Sequence, residues 1–386
     1  MTAERQLPLD LPAGLERVAG RRILVFAPVI EFNLGPGDRA LVGPGDTVVA
    51  GQAIAERTPD AEIVDVGRLP IDLPAWSRRE PDGTVADGSG AGPSPMAIRT
   101  EAASRRERRT PPEPGKWWVG GAERRERTPK GKDQVRISGT LLFESRGRWR
   151  AAAGDRHETV ESPVDGVVRE ARNALGVAVQ AAGAAIHGQI GAGDPSRGYL
   201  DVPRLTDGEL WASALDVGRS GAVVVAGSRI SSQAISRARA MSIRGLVSGS
   251  VGQSELRDLA ASQSRQRASL APSVSFGLIA LDGYQRRPLA TPVLALLAAL
   301  AGREVAIVPD PPLLVFDVAE VPLPELPIDW VRVRSGQYAG REGRWLEALG
   351  TRRFRAGIHL DAALVRFVDE SDPTIVPVAD LERFVY

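Results

Sequence analysis

Eight residues in the C-terminal sixth of the chain carry side chains suited to gripping a phosphate backbone. Arg332, Arg334, Arg341, Arg344, Arg352 and Arg353 end in planar guanidinium forks that pair with phosphate or carboxylate oxygens. Tyr338 and Trp345, placed among them, offer ring faces on which bases stack. Such a set binds single-stranded RNA or an acidic protein surface. The charge then reverses, with Asp361, Asp369, Glu370, Asp372, Asp380 and Glu382 following. Cross-strand pairing inside the domain is therefore the competing expectation.

A second candidate group lies in the middle of the chain. The stretches Gly227-Ser228-Arg229, Ser248-Gly249-Ser250-Val251-Gly252 and Asp282-Gly283-Tyr284-Gln285-Arg286-Arg287 each follow an apolar run. Small residues ahead of helices expose backbone N–H groups to an anion, which makes Gly227, Ser228, Gly249, Ser250, Gly252, Asp282 and Arg286 a candidate anion-binding set. The same residues serve as ordinary turns and caps. Neither a phosphate-loop lysine, nor a full G-x-G-x-x-G, nor a G-x-S-x-G elbow is present. Asp282 could act as a general base, but an aspartate in a D-G turn usually accepts a bond from its own backbone.

Other chemistries are excluded or left without support. The absence of cysteine removes disulfides, thiolate nucleophiles and sulfur-ligated metal centres. His157, His187 and His359 have no partner at metal-ligand spacing. No catalytic residue, metal ligand or cofactor is assigned, and a noncatalytic protein is the expectation. Of 49 basic residues only Lys116, Lys130 and Lys132 are lysines, a bias that codon supply alone produces. The formal charge of +1 supplies no global attraction to nucleic acid, leaving local patches to do so.

The elements that must position these groups divide a chain of 386 residues into several domains. Apolar strands near 221–226, 243–247, 274–281 and 304–308 alternate with helices near 231–241, 254–268 and 291–301. That alternation predicts a Rossmann-like α/β domain over 205–320, with a parallel sheet covered on both faces. The fold class expected is thus multidomain, α/β plus all-β. The stretch 77–134 is dominated by Gly, Pro, Arg, Glu and Ser, and is expected to be a disordered insertion. Its Trp117-Trp118 pair, flanked by arginine-glutamate clusters, either meets RNA or docks on a neighbouring domain. The longest apolar run, Ala290 to Ala301, contains Thr291 and Pro292 and is too short for a bilayer. Glu4, Arg5 and Asp10 stand where a secretion signal would begin, so a cytoplasmic protein with no membrane partner is expected.

Two resemblances refine this picture. The stretch from Val331 through Gly336, Gly340 and Gly343 to Arg344, followed by Val376-Pro377-Val378-Ala379-Asp380-Leu381-Glu382, resembles a KOW-type SH3-like barrel over 328–386. That resemblance implies contact with RNA, the ribosome or RNA polymerase. The stretch Leu41 to Glu56, with its Gly45-Asp46 and Gly51-Gln52 turns and inward Val48, resembles half of a biotinyl/lipoyl-like barrel-sandwich hybrid. Glu161 to Val168, continuing through Gly176 to Val179 and on to Gly183, Gly188, Gly191 and Gly193, supplies a matching half, and the domain is expected over 21–76 and 135–204. Carriers of that family need a lysine on a hairpin, and neither half has one, so covalent biotin or lipoate is not expected. The combined expectation is a noncatalytic adaptor, with protein or RNA partners, docking on a transcription or translation assembly through its KOW-like barrel. A small-anion sensor or enzyme using the central loops, and a structural protein-assembly module, are the alternatives.

Overall fold

The central strands are apolar at nearly every position because each of their two faces is covered. In the segments Ala222–Val225, Gly245–Ser248 and Gly277–Ala280, one set of side chains (Val223, Val225, Val247, Ile279) enters one core. The intervening set (Val224, Leu246, Leu278, Ala280) enters another. Helix Thr291–Ala299 supplies Val293, Leu296 and Leu297 to the first core. Helix Ser232–Ala240 supplies Ala234, Ile235 and Ala238 to the second, and Leu259 of helix Gln253–Ala268 joins it. Each fully buried aliphatic side chain contributes roughly 1.5–3 kcal/mol relative to exposure. The helix following Ala222–Val225 is capped by Ser231, whose Oγ accepts the Ala234 N–H at 3.2 Å.

This computed structural model describes residues 11–35, 37–58, 157–173, 175–203, 209–268, 275–319, 321–355 and 357–386, with the backbone of six strand segments between 62 and 153. The chain forms two compact units, one of residues 1–28 and 182–386, the other of 29–181. It is β-rich, with three α-helices among the described residues. None of these helices is long and apolar enough to cross a membrane.

The larger unit holds a nine-stranded sheet. Its order is Ile190–Gly193, Gly277–Ala280, Gly245–Ser248, Ala222–Val225, Ser196–Asp201, Glu304–Val308, Leu313–Phe316, Ala184–His187 and Leu24–Phe26. The expected all-parallel sheet is corrected here. Only Ser196–Asp201, Ala222–Val225, Gly245–Ser248 and Gly277–Ala280 run parallel, and Glu304–Val308 is antiparallel to Ser196–Asp201. The four residues Pro309 to Pro312 join Glu304–Val308 directly to Leu313–Phe316, a connection too short for a parallel crossover.

The boundaries of the expected hybrid domain also shift, because Leu24–Phe26, Ala184–His187 and Ser196–Asp201 belong to this sheet. Gly191, read as part of the hybrid, instead permits a close crossing. A Cβ on it would lie 1.9 Å from the Pro309 carbonyl oxygen.

In the smaller unit the two halves read as one domain are paired directly. Val48 and Thr47 face Gly166 and Val167, while Gly176 to Gln180 pair with Asn33 back to Val29. Val48 and Ile54 are fully buried, and Gly45 and Gly51 make their turns at φ of 91° and 83°. Within the expected insertion 77–134, Ala97–Arg99 pairs with Gln134–Arg136, and Trp118–Val119 pairs with the start of Gly139–Ser145. The remainder of that insertion lies outside the described residues.

The C-terminal module is a six-stranded sheet in the order Ala19–Arg22, Leu381–Val385, Trp330–Val333, Glu342–Arg353, His359–Phe367 and Thr374–Pro377. It is not confined to residues 328–386. The N-terminal strand Ala19–Arg22 pairs in parallel with Leu381–Val385, and Leu15 and Val18 lie in the same core as Val331, Trp345, Phe367 and Leu381. Gly14 turns into this core at φ 86°, with a Cβ position only 2.6 Å from that of Ala348.

Candidate partner-binding surface

The alternation Val331-Arg332-Val333-Arg334 suggests two outward arginines, but only Arg334 is exposed. Arg332 has 0% exposure, because the strand Trp330–Val333 is covered on both faces, by its own module and by the loop after Gly277–Ala280. Its Nη1 donates to Asp282 Oδ1 at 3.1 Å, and its Nη2 to Asp282 Oδ2 at 3.0 Å and to the Pro288 carbonyl at 2.5 Å. Glu382 Oε1 lies 3.5 Å from Nη1. Arg21 reaches the same carboxylate, Nη1 to Oδ1 at 2.5 Å, and donates to the Leu281 carbonyl at 2.7 Å. Burial by itself would raise the Asp282 carboxyl. Hydrogen bonds and charge from Arg332 and Arg21 outweigh burial and hold it below the ordinary carboxylate range.

Arg287 completes this network by donating to the Arg334 carbonyl at 2.7 Å and the Asp282 carbonyl at 2.9 Å. Burial lowers its pKa, and Asp282 is the chief opposing influence. Glu342 adds a further tie. It accepts the Thr291 N–H at 2.9 Å at the start of a helix, and the Trp330 indole N–H at 3.0 Å. Asp282 is therefore a structural anchor, its carboxylate accepting three hydrogen bonds from Arg332 and Arg21.

The other central candidates do come together, but they satisfy one another. The Ser250 hydroxyl donates to the Ser228 carbonyl at 2.8 Å, the Gly249 N–H to the Gly227 carbonyl at 2.8 Å, and the Asp282 N–H to the Gly249 carbonyl at 2.7 Å. These bonds consume donors on which the anion reading relies. At the head of helix Gln253–Ala268, Glu255 already supplies negative charge; a Cβ on Gly252 would fall 2.1 Å from its Oε2. Arg286 pairs with Glu209 at 2.9 Å.

Three further C-terminal candidates are engaged. Trp345 is 3% exposed and packs in the module core, so it offers no stacking face to a base. Arg341 bonds Asp369 at 2.6 Å and Glu370 at 2.8 Å while lying over the Phe367 ring, and these bonds raise its pKa. Tyr338 is half-buried against Phe367, with ring centroids 5.5 Å apart. Arg344 is exposed, with Asp329 3.5 Å away.

What remains open is the far end of one hairpin. Glu342–Arg353 and His359–Phe367 pair over their length, with Arg352 opposite Leu360 and Arg353 opposite His359. Both strands bury their module-proximal parts; from Leu346 onward the first is almost wholly exposed. At this outer end Arg352, Arg353 and Arg355 are exposed, and among the described residues none has a carboxylate partner. The nearby Asp361 is occupied by Thr351 at 3.1 Å and faces Arg17 at 3.5 Å. Exposed Ile358 and His359 and half-buried Phe354 flank the arginines. Arg355 continues the basic run of Arg352 and Arg353 that the sequence shows, and its exposure beside them places it in the same group. Compared with known proteins, the chain matches no protein-family model, and no curated protein matches it.

Proposed function

We propose that this protein is a noncatalytic adaptor that docks on the RNA of a transcription or translation assembly through the outer end of the hairpin formed by Glu342–Arg353 and His359–Phe367. The observation that carries this reading is the separation of the arginines into two groups. Arg332 and Arg341 are spent on internal carboxylates, whereas Arg352, Arg353 and Arg355 are exposed on an extended arm with no internal partner. Consecutive strand residues point to opposite faces, so Arg352 and Arg353 present charge on both sides of the arm. Such an arm can lie along a groove and meet phosphates on either hand. The adjacent Phe354 and Ile358 add apolar surface for base contact.

The resemblance to KOW-type barrels supports the same class of partner, now through the hairpin end and not through the Gly-rich arc from Ser335 to Gly343. The biotinyl/lipoyl-like unit, without a lysine in its two halves, serves in this reading as a packing or docking module. Capture of tagged full-length protein from a lysate, with and without ribonuclease, tests the reading. RNA recovered with the wild type should be lost from an Arg352→Glu/Arg353→Glu/Arg355→Glu variant of equal yield. Equal RNA recovery with the two proteins would contradict it.

A further inference from the structure

A second basic site lies away from the hairpin end. A cleft of about 410 Å³ is lined by Arg21 and Arg22 from the N-terminal strand, by His187 at the end of the strand Ala184–His187 and Gln189 just beyond it, and by Arg334 and Glu382 of the C-terminal module. Three guanidiniums thus face a single carboxylate. Arg21 and Glu382 belong to the network around Asp282 and form its inner side. Arg22 and Arg334 are exposed, and among the described residues neither has a carboxylate partner; the Arg334 guanidinium donates to the Ala379 carbonyl at 3.2 Å. The lining therefore carries an excess of two positive charges at its open side, beside the polar side chains of His187 and Gln189.

We propose that this cleft binds a phosphate monoester. A terminal phosphate carries about −1.5 to −2 charges at neutral pH, which matches the excess, and its three oxygens accept the forked bonds that arginine offers. A phosphodiester, with one negative charge, matches less well. The carboxylate of Glu382 does not oppose the ligand, because it is committed to Arg21 and Arg332. The ligand bridges the N-terminal strand and the C-terminal module, so occupancy stabilises the larger unit.

Isothermal titration calorimetry on the full-length protein tests this, with ribose 5-phosphate as the probe, inorganic phosphate as a second ligand, and ribose as the control, all at constant ionic strength. The expected result is saturable heat from both phosphates and none from ribose. Affinity should fall at least tenfold in Arg22→Gln/Arg334→Gln and stay unchanged in the hairpin variant Arg352→Glu/Arg353→Glu/Arg355→Glu. The single variant His187→Ala, which touches no part of the ion network, should weaken binding severalfold and provides a check independent of the arginine changes. Absence of saturable heat in the wild type, full affinity in both cleft variants, or loss in the hairpin variant alone would overturn the assignment. The hairpin arm keeps this failure distinct from failure of the RNA-docking reading.

Discussion

Arg332 and Asp282 meet in a two-pronged ion pair, Nη1 to Oδ1 at 3.1 Å and Nη2 to Oδ2 at 3.0 Å, with both side chains almost fully buried. The pair fastens the strand Trp330–Val333 to the loop after Gly277–Ala280, so the α/β sheet and the C-terminal module share one interior. Removing one partner of a buried pair leaves the other charge stranded, at a cost of about 3–5 kcal/mol. Asp282→Asn should therefore lower stability by that order, as read from the urea midpoint. The combined change Asp282→Leu/Arg332→Met should cost clearly less than the sum of its two single changes. Simple additivity would show that the pair is not coupled.

The same carboxylate sets a pH dependence. Its folded-state pKa is held below the unfolded value, so its contribution is present above the unfolded pKa of about 3.9 and disappears as pH falls through the folded value. Stability should decline on acidification from pH 5 toward pH 3, and part of that slope should be missing in Asp282→Asn. An unchanged slope in the variant would remove Asp282 as a source of acid sensitivity.

The N-terminal segment should matter to the C-terminal module despite more than 300 intervening residues. Gly14 combines a left-handed φ of 86° with a Cβ position 2.6 Å from Ala348, so Gly14→Ala meets both backbone strain and a clash. A loss of roughly 1–3 kcal/mol is expected. Deleting residues 1–22 should be more severe, exposing the Leu381–Val385 strand edge and removing Leu15 and Val18 from the core. Hydrogen exchange reads this directly: amides of Leu381–Val385 should lose protection in the truncated chain. Retained protection would mean that the module folds without its N-terminal strand.

These residues also show how far the sequence reaches. The apolar runs at Ala222–Val225, Gly245–Ser248 and Gly277–Ala280 were legible because periodicity is a local property. Arg332 was misread because a strand covered on both faces can still alternate Val and Arg when a distant carboxylate, Asp282, waits on the second face. Trp345 was misread for a related reason, since its neighbours Arg344 and Leu346 point outward and nothing local marks the module core at that position. The parallel pairing of Ala19–Arg22 with Leu381–Val385 spans nearly the whole chain, and no local pattern encodes such a partner. Of the proposed RNA surface, Arg352 and Arg353 were visible in sequence. Their distinction from Arg341 depends on where Asp369 and Glu370 fold.

The salt dependence of RNA binding by the full-length protein tests the central claim most directly. Fluorescence anisotropy with a labelled single-stranded RNA should give an affinity that falls linearly on a log–log plot against salt. The account predicts that replacing Arg352, Arg353 and Arg355 by glutamine weakens binding and reduces the steepness of that line by about 2, from a slope of roughly −0.7 per phosphate contact. Arg341→Gln, whose guanidinium is already committed to Asp369 and Glu370, should leave the slope nearly unchanged. The same affinity and slope in the triple variant as in the wild type, or no RNA binding by the wild type at low salt, would contradict the account.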